Sequence, residues 1–346
     1  MLALLDTYLF TFFVSVSLSL LCLKYKKFLF KIYSQYNAIQ KIHEGYVPPI
    51  GGFIMFLAFY LSILFYQESF FANQIHIFAG SILILLIGLL EDFSGKIKPI
   101  YRLITIFIAS LIFVTCQKSL PKIEVPILEI ILNNIPFAEE LFYALGLTIL
   151  ANGMNMVDGM NGLAGMTSLS IILAISSILT LYGGIEIYFS ELSLLIIVLI
   201  VFLLFNFPFG KIFLGDSGAY WIGWILGVWI IEIYAKLPLN TWGALLILFY
   251  PIYEVIFSFT RKILSGKSPF QPDTNHLHIK LYFFLKADNE RSIKFNSFVT
   301  VCLMPFWIIP SVMIVWTYFY SHLTILFIVI MILTYNFYYK SIPNKD

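Results

Sequence analysis

Residues 190–234 read SELSLLIIVLIVFLLFNF PFGKIFLGDS GAYWIGWILGVWIIEIY. Two apolar runs, 190–207 and 218–234, flank ten residues that hold one lysine, one aspartate and two glycines. A helix rises about 1.5 Å per residue, so runs of this length approach the roughly 30 Å hydrocarbon core of a bilayer. Neither run alternates with period two, as the strands of a membrane barrel would. The fold class read from this stretch is all-α, a polytopic integral membrane helix bundle.

The pattern extends outward in both directions. Further apolar runs lie at 4–23, 50–66, 75–90, 101–116, 138–151, 166–182, 239–257, 298–318 and 321–338, giving about eleven spans. Hydrophobic residues make up 60% of the 346 and charged residues only 12%. Soluble domains carry about twice that charged fraction, so the chain is read as lipid-embedded. The net charge of +2 singles out no partner, and no nucleic-acid ligand is expected. Cys22, Cys116 and Cys302 all fall inside apolar runs and read as small hydrophobes. The run 4–23 has no basic residue before it and no small-residue cleavage site, so it reads as a retained span. No repeat or soluble domain interrupts the chain, which is taken as one membrane domain over 1–346.

Sidedness follows from Lys and Arg. The stretches 24–49, 91–102, 208–217 and 258–297, with the C-terminus, carry 18 of the 21 basic residues. The intervening set holds Lys118, Lys122 and Lys236. The positive-inside bias assigns the richer set to the cytoplasm, with the N-terminus outside and the C-terminus inside. The segments 24–49, 91–100, 152–165, 208–217 and 258–297 are then expected to form one cytoplasmic face.

Four polar clusters lie on that face. Glu91 and Asp92 are adjacent acids followed by Lys96 and Lys98. They suit a hard cation or a base role, or a solvated helix end. Asn152, Asn155, Asp158 and Asn161 recur every third residue, which in a helix gives neighbours along one face. Either a ligand or a helix-packing stripe accounts for them. Asp216 sits between Gly215 and Gly218 just before a span, as a metal or phosphate turn or a helix cap. His276 and His278 lie in the basic loop 258–297, in a segment that begins at Ser268. Two histidines without a third ligand nearby support phosphate binding better than zinc. Glu254 is a deep charge with Arg261 seven residues on near the same helix face, and a structural ion pair or a loop anchor is expected there.

These blocks resemble the signatures of the polyprenyl-phosphate N-acetylhexosamine-1-phosphate transferases, a family that includes phospho-MurNAc-pentapeptide translocase. The resemblance spans about residues 45 to 282, in order. Glu91-Asp92 matches the family's paired-aspartate position. Asn152 to Asn161 matches its middle block, Phe213 to Gly218 its magnesium-aspartate block, and His276-x-His278 its histidine motif.

The resemblance implies a sugar-1-phosphate transfer from a UDP-sugar to undecaprenyl phosphate, with release of UMP, in the bacterial cytoplasmic (inner) membrane. By it, Asp216 and Asp92 hold Mg²⁺, with Mn²⁺ as an alternative, and Asp92 with Glu91 serves the lipid phosphate. Asn152, Asn155, Asp158, Asn161 and Phe213 surround the nucleotide. Lys96, Lys98, Arg261, His276 and His278 meet the diphosphate or sugar. Glu91, Asn161 and Ile279 depart from the common pattern, which points away from the peptidoglycan translocase and toward surface polysaccharides such as O-antigen. The sequence does not set the oligomeric state; a homodimer is one option. The rival readings are a transporter using intramembrane carboxylates, which would place them near the midplane, and a non-catalytic lipid-binding scaffold.

Overall fold

The computed structural model describes residues 2–33, 47–66, 68–182, 189–268, 274–286 and 293–343, and among them every regular element is a helix. The first five are α1 (Leu2–Lys24), α2 (Lys26–Tyr33), α3 (Gly51–Tyr66), α4 (Glu68–Ser94) and α5 (Pro99–Thr115). Then come α6 (Pro126–Asn134), α7 (Ala138–Val157), α8 (Leu163–Tyr182), α9 (Phe189–Asn206) and α10 (Gly215–Lys236). The last six are α11 (Trp242–Ile247), α12 (Phe249–Leu264), α13 (Leu277–Leu285), α14 (Ile293–Cys302), α15 (Met304–Thr317) and α16 (Ser321–Ser341).

Each apolar run of the sequence falls on one helix or on a broken pair. Six described segments are long and apolar enough to cross a membrane: Leu5–Lys24, Gln74–Ser94, Leu163–Tyr182, Gly215–Lys236, Phe295–Thr317 and Ser321–Ser341. Shorter apolar helices occupy Gly51–Phe65, Pro99–Thr115 and Ser190–Asn206. The run 239–257 divides at Leu248, three residues before Pro251, and the run 298–318 divides at Leu303, two before Pro305. Proline lacks an N–H and crowds the preceding turn, so it belongs in the first turn of a new helix. The stretch 258–297 is not a plain loop. It contains the end of α12, all of α13 and the start of α14.

α10 is the axis of the bundle. About 94% of its apolar window is buried, against 28% for α1 and 17% for α16, whose outer faces are left for lipid. It packs on α3, α4, α7 and α8. Lipid supplies no hydrophobic drive between helices, so close backbone approach at small residues must do that work. A Cβ on Gly52 of α3 would lie 1.9 Å from the Gly218 Cα, and one on Gly88 of α4 would lie 2.3 Å from the Ser217 Cα. On α10, Trp221, Trp224 and Trp229 are fully buried, and the Trp224 indole donates to Ser110 Oγ at 3.0 Å.

The asparagine block departs from the expected single face. α7 runs two turns past the predicted end at 151 and carries Asn152 and Asn155, but it stops at Val157 with Asp158 as its C-cap residue. Gly162, at φ +80°, turns the chain into α8. Asn161 therefore leaves the face that the three-residue repeat implied.

Candidate active site

Four helix ends meet at one end of the bundle: the C-termini of α4 and α7, and the N-termini of α5 and α10. The turn into α10 begins at Gly215, with φ +78°. A Cβ there would lie 2.3 Å from the Pro49 carbonyl oxygen and 2.8 Å from Asp92 Oδ2, so only glycine fits. The preceding backbone is pinned to the segment entering α3. Phe213 N donates to the Pro48 carbonyl at 3.0 Å, and Gly51 N and Gly52 N donate to the Phe213 and Leu214 carbonyls at 2.8 Å each.

A helix N-terminus presents N–H groups without intrahelical acceptors. Asp92 supplies acceptors to α10 from the neighbouring helix. Its Oδ1 accepts from Asp216 N at 2.8 Å, and its Oδ2 accepts from Ser217 N at 3.1 Å and Ser217 Oγ at 2.8 Å. Asp92 was expected to hold the cation or serve the lipid phosphate directly. Both of its oxygens also fix the turn that presents Asp216.

Asp216 Oδ2 accepts from Arg102 Nη1 at 2.8 Å, and Oδ1 accepts from Asn155 Nδ2 at 2.9 Å. The same Arg102 nitrogen lies 3.4 Å from Glu91 Oε1, while Glu91 Oε2 accepts from Ile97 N at 2.9 Å. Arg102 thus bridges two of the acids, and its buried Nε has no hydrogen-bond partner among the described residues. In the sequence Arg102 counts only toward sidedness, and charge compensation is expected from Lys96, Lys98 and the basic residues of 258–297. Lys96 and Lys98 are exposed on the turn between α4 and α5, and neither side chain pairs with an acid among the described residues. Arg102 could have been flagged, because it opens an apolar helix where a cation is costly without a partner. Ser217 was also missed; its hydroxyl matters only because Asp92 comes from another helix.

Asp158 stands beside Asp92 and Asp216, and its carboxylate makes no hydrogen bond among the described residues. Desolvation, with the charges of Asp216 and Asp92, pushes its carboxyl well above the usual range. Among the described residues, Asn152 Nδ2 meets Met156 Sδ, at 3.5 Å, one turn along the same helix. The Phe213 side chain is half-buried at the mouth of the turn.

Asn161 is a structural residue. It is 2% exposed, its Nδ2 donates to the Pro208 carbonyl at 3.0 Å, its backbone N donates to Asn296 Oδ1 at 2.6 Å, and its carbonyl accepts from Thr300 Oγ1 at 2.7 Å. These bonds join the 158–162 turn to α14, so the nucleotide-contacting role expected for Asn161 gives way to a framework one.

The histidine motif abuts the same turn. A Cβ on Gly159 would lie 2.2 Å from His278 Nε2, and the His276 and His278 rings stack at 5.6 Å. Burial lowers the His278 pKa to about 3, against a favourable pull from Glu254, so this ring stays neutral and offers no positive charge to a phosphate. The partner of Glu254 also differs from expectation. Its Oε1 faces His276 Nδ1 at 3.0 Å and its Oε2 accepts from Tyr335 at 2.6 Å, while Arg261 Nη2 donates to Ser258 Oγ at 3.4 Å. Helix geometry brings Arg261 near Glu254 only along α12; α13 and α16 supply closer donors. Residues 269–273 of the loop motif, and the basic Lys41, Arg291 and Lys345, lie outside the described residues.

Residues 74–234 match the family described as Glycosyl transferase family 4. A Thermotoga maritima protein named undecaprenyl-phosphate alpha-N-acetylglucosaminyl 1-phosphate transferase is 30% identical over 243 residues, covering 69% of each chain. The chain belongs to glycosyl transferase family 4. It is also 26% identical to a Bacillus subtilis protein named probable undecaprenyl-phosphate N-acetylglucosaminyl 1-phosphate transferase, over 71% of this chain and 68% of the other. A Mycobacterium tuberculosis protein named decaprenyl-phosphate N-acetylglucosaminephosphotransferase is 24% identical, over 71% and 68% of the two chains. The family segment ends within α10. It contains Glu91, Asp92, Arg102, Asn155, Asp158 and Asp216, while His276, His278 and α16 lie beyond it.

Proposed function

We propose that the protein transfers an N-acetylhexosamine 1-phosphate from a UDP-sugar to a polyprenyl phosphate, releasing UMP. The observation that carries this reading is the convergence of Asp92, Asp158 and Asp216, with Glu91, Arg102 and Asn155, around the first turn of α10. In the reaction, an oxygen of the lipid phosphate attacks the sugar-bearing phosphorus. The bond from that phosphorus to the bridging oxygen breaks, and UMP leaves with the electron pair. A phosphate monoester is already largely ionised near neutral pH, so no strong base is needed and direct attack suffices.

The donor set suits Mg²⁺, with Mn²⁺ as an alternative. The acids present only hard oxygens, and Mg²⁺ is commonly held by one or two carboxylates plus substrate phosphates. No group of three or more His, Cys, Asp or Glu among the described residues is placed to hold an ion unaided, which fits a cation shared with a diphosphate. We assign its protein ligands to Asp216 and Asp92, with Asp158 beside them. When bound, such a cation neutralises phosphate charge. Arg102 and Asn155 hold the Asp216 carboxylate at a fixed angle. Arg102 also offsets Glu91, so the pocket does not repel its anionic substrates.

We infer eleven spans with the N-terminus outside and the site on the cytoplasmic face of a bacterial inner membrane. The basic-residue bias of 18 against three supports this orientation. The product would then serve lipid-linked surface polysaccharide assembly. The test is release of UMP from UDP-GlcNAc and undecaprenyl phosphate by the purified protein with Mg²⁺. We expect EDTA to abolish turnover and Asp216→Asn to lower it by orders of magnitude. Full activity in Asp216→Asn would remove the metal assignment, and no turnover across a panel of UDP-N-acetylhexosamines would remove the reaction.

A further inference from the structure

The sequence places Glu254 inside an apolar run, where a carboxylate is costly unless every oxygen is satisfied. It is 1% exposed and satisfied on both oxygens from two other elements. Oε1 takes His276 Nδ1 at 3.0 Å and Leu277 N at 3.3 Å, at the start of α13; Oε2 takes the Tyr335 hydroxyl of α16 at 2.6 Å. A carboxylate only accepts, so the proton of a neutral His276 must sit on Nδ1, which leaves Nε2 as the open nitrogen. α16 reinforces the arrangement one turn further on. Lys280 lies over the Tyr339 ring at 4.3 Å and donates to the Tyr339 carbonyl at 3.0 Å, while the Tyr339 hydroxyl donates to the Asn275 carbonyl at 3.1 Å. His276 in turn stacks on His278, which touches Gly159 beside Asp158.

We propose that Glu254 is a positioning residue that fixes the tautomer and ring orientation of His276, and that Tyr335 makes the C-terminal helix part of the same device. The inference rests on the transferase reading for its reaction, with His276 Nε2 turned to the sugar-diphosphate. Its geometric core, the Glu254–His276 pair, can be read without turnover.

The test uses the full-length protein in nanodiscs, labelled with ¹⁵N-histidine. The chain has five histidines, and the His276 signals are identified by their loss in His276→Gln. The expected spectrum has Nδ1 protonated and Nε2 bare in the parent protein. Glu254→Gln, whose amide oxygen still accepts, keeps that pattern; Glu254→Ala loses it. Carboxylate–histidine pairs elsewhere suggest a fall in kcat of about 10–100-fold for Glu254→Ala. Tyr335→Phe keeps the ring and deletes one hydrogen bond, and should lower kcat roughly 3–10-fold with little change in donor KM. A parent spectrum with the proton on Nε2 overturns the proposal. So does an unchanged His276 signal in Glu254→Ala together with full kcat in Tyr335→Phe. If the tautomer behaves as stated but no UDP-sugar turns over, the positioning stands and the transferase reading falls.

Discussion

Replacing Arg102 by methionine keeps an unbranched apolar stem and removes the guanidinium with its charge. In the parent protein one nitrogen sits 2.8 Å from Asp216 Oδ2 and 3.4 Å from Glu91 Oε1. At an effective dielectric near 20, each contact of this kind is worth roughly 5 kcal/mol before desolvation. The arginine, aspartate and glutamate side chains are 18%, 28% and 11% exposed, so water screens part of that gain. The arginine was also desolvated to make it. Breaking a buried pair from one side costs about 3–5 kcal/mol, and partial exposure brings the expected loss to about 2–4 kcal/mol. Arg102→Lys should recover only part, because one ammonium cannot reproduce the planar fork. The assay is thermal unfolding in detergent, followed by size-exclusion, alongside UMP release. We expect Arg102→Met to be the less stable variant and to lose at least 100-fold in turnover, since Asp216 is freed while the pocket becomes more anionic. The reasoning is refuted if Arg102→Met unfolds at the parent temperature and keeps more than about half its activity.

Three further outcomes follow from the same geometry. Ser217→Ala removes one of three donors to Asp92 and should cost about 1 kcal/mol, whereas Asp92→Asn leaves a single acceptor oxygen, loses at least one of the three bonds outright and should cost about 2 kcal/mol, both read by thermal unfolding. Gly52→Ala would drive a methyl group into the Gly218 backbone and should cost 3 kcal/mol or more with loss of turnover, while Gly146→Ala, with open space around it, should be neutral or slightly stabilising. His278 is neutral when folded down to a pKa of about 3, but takes a proton below about 6.5 when unfolded. Stability should therefore fall as pH drops from 6.5 toward 3, by roughly 1 kcal/mol per unit from this group. His278→Phe should flatten that acid slope in a pH series of melting curves.

Much of the fold was legible in the sequence because lipid enforces simple rules. A segment crossing hydrocarbon must satisfy its own backbone, so a long apolar run becomes helical, and each run named from sequence falls on one helix or on a broken pair. Two runs read as continuous, 239–257 and 298–318, break at Leu248 and Leu303, just before Pro251 and Pro305, a local covalent effect. The acids were visible too, since charge beside an apolar run is expensive and invites explanation.

What each acid touches was decided only by tertiary structure. Asp92 engages an N-terminus more than 120 residues away in the chain, and Arg102 reaches Asp216 across 114 residues. Asn161 shares a periodic pattern with Asn155, yet the helix ends at Val157, before it, and it joins the framework. Glu254 had an arginine at helical spacing but takes its partners from α13 and α16. The physical reason is common to all four. Composition and periodicity report the free energy of placing a residue in lipid or along its own helix. The partner of a polar group is set by which helix ends the packing brings together, and small residues such as Gly52 and Gly218 govern that packing through close contacts that no local pattern encodes.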